Sequence, residues 1–227
     1  MSSTHKTLLV VGSGPGIGRA VTALFVAKRY NNVVLLARRP DSLVSEKAAI
    51  EQAIGTQVNI KSYAVDITDL AALEGALDDA DAALGKPECI FFNAARVLPS
   101  AFFEHPIMEI EYDLRITVSA LYAVAQRYVP HLVSLAANPA AKPALLVTSS
   151  ALPLQPIPQL FALSLAKAAQ RNLVQSLNMT YGPEGVHIGV INVAGIVSPD
   201  DSERNPANIA AKTWEWFEEG KEFELVI

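Results

Sequence analysis

Two rhythms alternate along the chain: short, largely apolar runs, and longer stretches in which apolar residues recur every three or four positions. The runs "KTLLVVG" (6–12), "NVVLLARR" (32–39), "VNIKSYAVD" (58–66), "ECIFFNA" (88–94), "ALLVTSS" (144–150) and "VHIGVINV" (186–193) predict strands, and "EFELVI" (222–227) an edge strand. Helical spacing over 18–30, 42–54, 69–84, 107–136, 159–181 and 206–219 predicts the helices between them. Pro130, inside the fourth of these, predicts a kink or break. Strands that are apolar on both faces need cover on both faces. Their alternation with helices therefore predicts an α/β fold, a doubly wound parallel sheet in a single domain spanning 1–227.

Composition narrows the function classes. A length of 227 residues suits one domain, and 51% hydrophobic residues can build a substantial core. The net charge of -5 comes from interspersed acids and bases, so no basic face points to nucleic acid. No apolar run is long enough to span a bilayer, and "MSSTHKTLLVVG" lacks a signal-peptide pattern, so a cytoplasmic location away from membranes is expected. Cys89, the sole cysteine, excludes an internal disulfide and lies in an apolar run as an expected buried, inert thiol. His105, His131 and His187 show no paired spacing with acids, so no metal is expected.

The first strand leads directly into "GSGPGIGRA". Gly12, Gly16 and Gly18, with Ser13, Gly14 and Ile17 between them, sit where a strand must turn sharply into a helix. Such a turn lets the backbone approach a pyrophosphate and aims the helix N-terminus at it, so a Rossmann-type dinucleotide site is expected. The second strand ends in Arg38 and Arg39 with no acid before Asp41. Guanidinium groups there match a ribose 2′-phosphate, which selects NADP(H) over NAD.

In order and spacing these motifs resemble the short-chain dehydrogenase/reductase family over almost the whole chain. The resemblance implies adenine contacts from Asp66 and Ile67, and it places Asn93-Ala94-Ala95 at the family's Asn-Ala-Gly motif. The serine-bearing fifth strand is "LLVTSS". Gly195 and Val197 lie in the family's Pro-Gly loop, with Ala194 in place of the proline. That family transfers hydride with a tyrosine acid/base, a lysine four residues later and a serine about thirteen residues earlier. Lys167 and Ser150 match the last two, while Leu163 stands at the tyrosine position and has no proton to give. An asparagine in the family's long helix falls at Arg115.

The resemblance thus implies an atypical NADP(H)-dependent oxidoreductase for a small or medium apolar carbonyl or enone, with Ser150, Lys167 and Arg115 as its catalytic groups. Lys167 either relays protons with a depressed pKa or only binds the nicotinamide ribose. Two alternatives stay open: a non-redox activity (isomerase, dehydratase or cyclase) and a non-catalytic NADP(H)-binding protein. The substrate-side region, about 194–227, is short, and its terminus resembles that of an atypical subgroup that tends to lack the tyrosine. Trp214, Trp216 and Phe217 are expected to pack the last helix on the sheet, with a subunit interface as the alternative role. A homodimer or homotetramer through 107–136 and 159–181 follows family habit.

Overall fold

Near the middle of the sheet, β1 (Thr7–Val11) has every residue buried, as a strand covered on both faces requires. In the computed structural model, which describes residues 6–54 and 58–227, β1 pairs in parallel with β2 (Asn32–Ala37) and β4 (Cys89–Phe92). Beyond β2 lies β3 (Asn59–Ala64). Beyond β4 lie β5 (Ala144–Ser150), β6 (His187–Val193) and β7 (Glu224–Val226). The parallel order is β3-β2-β1-β4-β5-β6-β7. Its direction of winding reverses between β1 and β4, so a crevice opens beyond the carboxyl ends of those two strands.

One apolar layer packs α1 (Ile17–Lys28), α2 (Pro40–Ile54) and α7 (Pro206–Glu219) on the sheet. The opposite layer uses α3 (Leu70–Leu84), α4 (Ile107–Leu114), α5 (Ala120–Leu135) and α6 (Phe161–Tyr181). Cys89 is fully buried, and burial pushes its thiol pKa far up, so it remains a protonated packing group. None of the described helices is long and apolar enough to cross a membrane.

The stretch predicted as one helix over 107–136 is interrupted, but not at Pro130. Arg115–Ser119 form a π turn between α4 and α5, with the Ala120 N–H reaching back to the Arg115 carbonyl. Pro130 lies inside α5 without ending it. It lacks the N–H that would bond to the Gln126 carbonyl. Both residues face solvent, where water can take that acceptor.

The last helix starts at a side-chain cap, Asn205 accepting from the Asn208 N–H at 2.9 Å, with Pro206 in its first turn. Trp216 and Phe217 are buried, and the Phe25 ring of α1 lies 5.0 Å from both Trp214 and Phe217. The aromatic trio therefore packs α7 against α1 as well as on the sheet. The short strand β7 closes the parallel edge.

Candidate active site

The glycine turn is shaped by close backbone approach. Gly12 has φ +92°, and its N–H donates to the Leu36 carbonyl at 2.9 Å. A Cβ added there would lie 2.5 Å from the Ala94 backbone nitrogen, so any side chain would force β1 and β4 apart at the crevice. Gly18 permits a similar approach between α1 and the Gly12 carbonyl. Gly14 and Gly16 differ: an added Cβ would meet nothing within 4 Å, because they border open space. Next to them the Ser13 hydroxyl is buried and has no partner among the described residues. Ahead of it α1 begins, its Arg19 N–H turning back to the Gly14 carbonyl at 2.9 Å and its Ala20 N–H to the Gly16 carbonyl at 3.2 Å.

A cleft of about 270 Å³ lies against this turn, and the predicted Gly12, Ser13, Gly14, Arg38, Arg39, Asp66, Ile67, Asn93 and Ala94 all line it. Arg38 and Arg39 are exposed at its rim. Asp66 receives hydrogen bonds from the Thr68 N–H and hydroxyl and from the Tyr112 hydroxyl. Partial burial works against its charge. The hydrogen bonds, together with the field of Arg38, prevail and hold its pKa below the usual carboxylate range. Gly16, Ile17, Gly18, Lys167, Gly195 and Val197 lie outside the lining of this cleft. Pro15, Ser42 and Ile116, which motif reading passed over, belong to it.

From the glycine turn a hydrogen-bonded chain runs inward. Asn93 donates through Nδ2 to the Gly12 carbonyl at 3.0 Å and accepts the Thr148 hydroxyl at 2.8 Å. The Thr148 carbonyl accepts from Lys167 Nζ at 2.8 Å. Lys167 Nζ also donates to Gln170 Oε1 at 2.9 Å, and Gln170 Nε2 donates to the Thr117 carbonyl at 3.0 Å. Lys167 is 5% exposed, and burial lowers its pKa to about 8. An ammonium has three donors, so one N–H beyond these two bonds is left to give.

The neighbouring candidates divide. Ser150 is half-buried at the end of β5, and its Oγ accepts from the Leu152 N–H at 3.3 Å. The pleat turns Ser149 to the other face, where its buried hydroxyl has no partner among the described residues. Leu163 is 5% exposed, one helical turn before Lys167. Ser164 is committed locally, donating to the Leu160 carbonyl at 2.9 Å. Arg204 covers the loop after β6: it donates to the Ala194 carbonyl at 3.2 Å and lies 3.0 Å from where a Gly195 Cβ would stand.

Arg115 departs from expectation. It is exposed at the start of the π turn and does not line the cleft, whereas Ile116 does. The π turn rotates the chain, so the buried carbonyl that meets the lysine network belongs to Thr117. Motif reading also missed Gln170. Its available signal was a glutamine one helical turn beyond Lys167, on the face that also carries Leu163, Ala166 and Val174.

The family model described as short chain dehydrogenase matches residues 6–208. The chain belongs to that family. Over 208 residues it is 24% identical to a glucose 1-dehydrogenase of Gluconobacter oxydans, covering 89% of this chain and 76% of that protein. Among solved structures, a short chain oxidoreductase of Pseudomonas aeruginosa PAO1 with an atypical catalytic center superimposes with a TM-score of 0.83. That match has 19% identity and covers 98% of this chain and 95% of that one. The NADPH-bound structure of a short chain oxidoreductase from the same strain, again described as containing an atypical catalytic center, gives a TM-score of 0.82 at 20% identity and the same coverage. At such identities the superpositions establish the fold.

Proposed function

We propose that this short chain dehydrogenase is an NADP(H)-dependent oxidoreductase for small or medium apolar carbonyl or enone substrates, working without a phenol at position 163. The observation that carries the reading is the cleft itself. An open glycine cradle, a buried Ser13 hydroxyl with no partner among the described residues and two rim guanidiniums surround one continuous space.

The residues fit a phosphorylated dinucleotide. Gly14, Gly16, Ile17 and Ser13 would hold the diphosphate at the start of α1. Arg38 and Arg39 would take the 2′-phosphate. Asp66 and Ile67 would flank the adenine, and Asn93, Ala94, Lys167, Gly195 and Val197 the nicotinamide half. Bound there, the nucleotide supplies or accepts a hydride. Lys167 contributes its uncommitted N–H from a dry, rigid setting. Ser150 offers a hydroxyl to polarise the substrate oxygen. Leu163 keeps water from the adjacent helix face but cannot donate a proton, so the proton comes from solvent or substrate. Reduction of an activated C=C asks less of such a site than reduction of an unactivated ketone.

Apolar side chains exposed on loops and helix starts beyond the strand ends, Leu98, Phe102, Leu154 and Ile196 among them, support an apolar substrate. In this reading the protein works in the cytoplasm as a homo-oligomer. Exposed Tyr122 of α5, with Leu165 and Met179 of α6, supplies apolar surface for the contact.

Leu163 also favours a second reading. A site that binds the nucleotide without a proton donor suits a non-redox isomerase, dehydratase or cyclase, or a protein that binds NADP(H) without turnover. Stereospecifically deuterated NADPH with a panel of apolar ketones and enones separates the readings. Deuterium in product supports the oxidoreductase, and tight binding without label transfer overturns it.

A further inference from the structure

On α6 stands one polar side chain that the chemistry above leaves without a task. Gln170 lies one helical turn beyond Lys167 and is 0% exposed. Burying an amide is costly unless both of its ends are paired. Here both are, and the pairing is directional. Only the oxygen can accept from an ammonium, and only the NH₂ can donate to a carbonyl, so Lys167 and Thr117 together fix the way the amide points.

We propose that Gln170 is a positioning residue: it holds the Lys167 ammonium as a fixed hydrogen-bond donor with one N–H left for the nucleotide site, and it fills the path between that ammonium and the Thr117 carbonyl. Gln170 has this role only if the nucleotide site proposed above is real.

The geometry excludes a freely turning lysine. With Nζ bonded to both the Thr148 carbonyl and Gln170 Oε1, its remaining N–H has one direction to take. The π turn favours the arrangement, because its five-residue spacing shifts carbonyls off the regular ladder, and from this turn the Thr117 carbonyl accepts from Gln170. A water chain from Lys167 to that carbonyl would need the space the amide occupies. The proton for the reaction therefore enters from the substrate side.

Charged neighbours do not take over the task. On α4, Asp113 is paired with Arg96 and the Tyr112 hydroxyl with Asp66. On α5, Arg127 and Tyr128 bond Asp81. Arg171 of α6 is paired with Glu224 of β7. Arg115 of the π turn is exposed, and His187 begins β6 at the end opposite the site. Lys167 is left with neutral acceptors, and burial is what lowers its pKa.

The test follows the lysine directly. Protein labelled with ¹⁵N at lysine Nζ is titrated by NMR as wild type, Gln170→Met and Gln170→Glu, with Lys167→Met to assign the signal. NADPH affinity is measured by calorimetry over the same pH range. Loss of the acceptor in Gln170→Met is expected to lower the Lys167 midpoint and to weaken NADPH about tenfold near pH 8. The carboxylate in Gln170→Glu is expected to raise the midpoint by about one unit or more and to keep binding to higher pH. In the wild type, the Gln170 side-chain amide is expected to exchange with solvent at least about tenfold more slowly than an exposed glutamine.

A folded variant with an unmoved midpoint overturns the role. So does a freely exchanging Gln170 amide, a measurement that stands even if neither variant folds. If the midpoints move but wild type ignores NADPH, the nucleotide reading fails and the hold on the lysine survives. If NADPH binds but the midpoints stay, Gln170 alone loses its role.

Discussion

Asn93 and Thr148 are joined by a 2.8 Å hydrogen bond that ties the end of β4 to the end of β5. The same asparagine grips the Gly12 carbonyl, and the same threonine offers its carbonyl to Lys167. One side chain thus connects the glycine turn of the cleft to the lysine network beneath it. Removing it leaves the threonine hydroxyl and the glycine carbonyl short of a partner in a partly buried place. Asn93→Ala is expected to cost about 2 kcal/mol, which lowers the melting temperature by about 6 °C for a chain of this size. It should also weaken NADPH binding, because the turn loses its brace. Calorimetric melting with and without nucleotide measures both, and an unchanged melting temperature would remove the strut from the account.

Arg38 and Arg39 project from the end of β2 into solvent. Exposed positions of this kind carry little folding energy, so Arg38→Ala and Arg39→Ala are each expected to change stability by under about 0.5 kcal/mol. In the proposed function their effect falls on the 2′-phosphate. Loss of one charge-assisted contact is expected to weaken NADPH about tenfold or more while leaving NADH nearly unchanged. Titrating both nucleotides against each variant gives the ratio. An equal loss for the two would place the arginines away from the phosphate.

The sheet was legible because strands covered on both sides must be apolar on both sides, and "TLLVV", "VVLLA" and "CIFF" announce that in any order of reading. The glycine turn was legible too, since Gly12 answers a backbone contact that any side chain would break. Irregularity within the helices left no such mark. A π turn is a matter of one extra residue in the ladder, and nothing in "LRITVSA" distinguishes it from plain helix. For that reason the motif pointed to Arg115, which is exposed, on a turn where the Thr117 carbonyl faces inward to Gln170. Gln170 was hidden for another reason: its partner carbonyl is 53 positions away in sequence, so only folding brings them together. Pro130 misled in the opposite direction, because a missing N–H costs little where the orphaned carbonyl faces water.

Lys167 should be visible in the pH dependence of stability. Its folded pKa, about 8, lies below the ordinary lysine value of 10.5. Below pH 8 both the folded and unfolded forms carry the proton, and the folded protein bears the full cost of burying a charge. Between about pH 8 and 10.5 the folded form releases the proton while the unfolded form keeps it, so stability rises with pH across that window. The expected rise is about 3 kcal/mol at most, in order of magnitude, and Lys167→Met should lack it. Urea unfolding of both proteins from pH 7 to 10 checks the difference. A wild type that follows the variant at every pH would mean the ammonium is not desolvated.

Leu163 and Lys167 lie four residues apart and therefore on one face of α6, so a phenol introduced at 163 would stand beside the ammonium. A nearby positive charge lowers a phenol's pKa and brings it closer to a usable general acid. Leu163→Tyr is therefore expected to gain measurable reduction of unactivated ketones by NADPH, where the wild type is expected to favour enones. The larger side chain must fit a place where leucine is only 5% exposed, and overpacking there is expected to cost about 1–3 kcal/mol. Leu163→Phe separates the two consequences, since it brings the same ring without the hydroxyl. Both variants should melt lower than wild type, and only the tyrosine should gain ketone turnover. Equal activity in the two would tie the change to shape. A tyrosine variant that folds, binds NADPH and still reduces no ketone would mean that the missing acid was not the barrier, and that Ser150 or the substrate pocket has diverged with it.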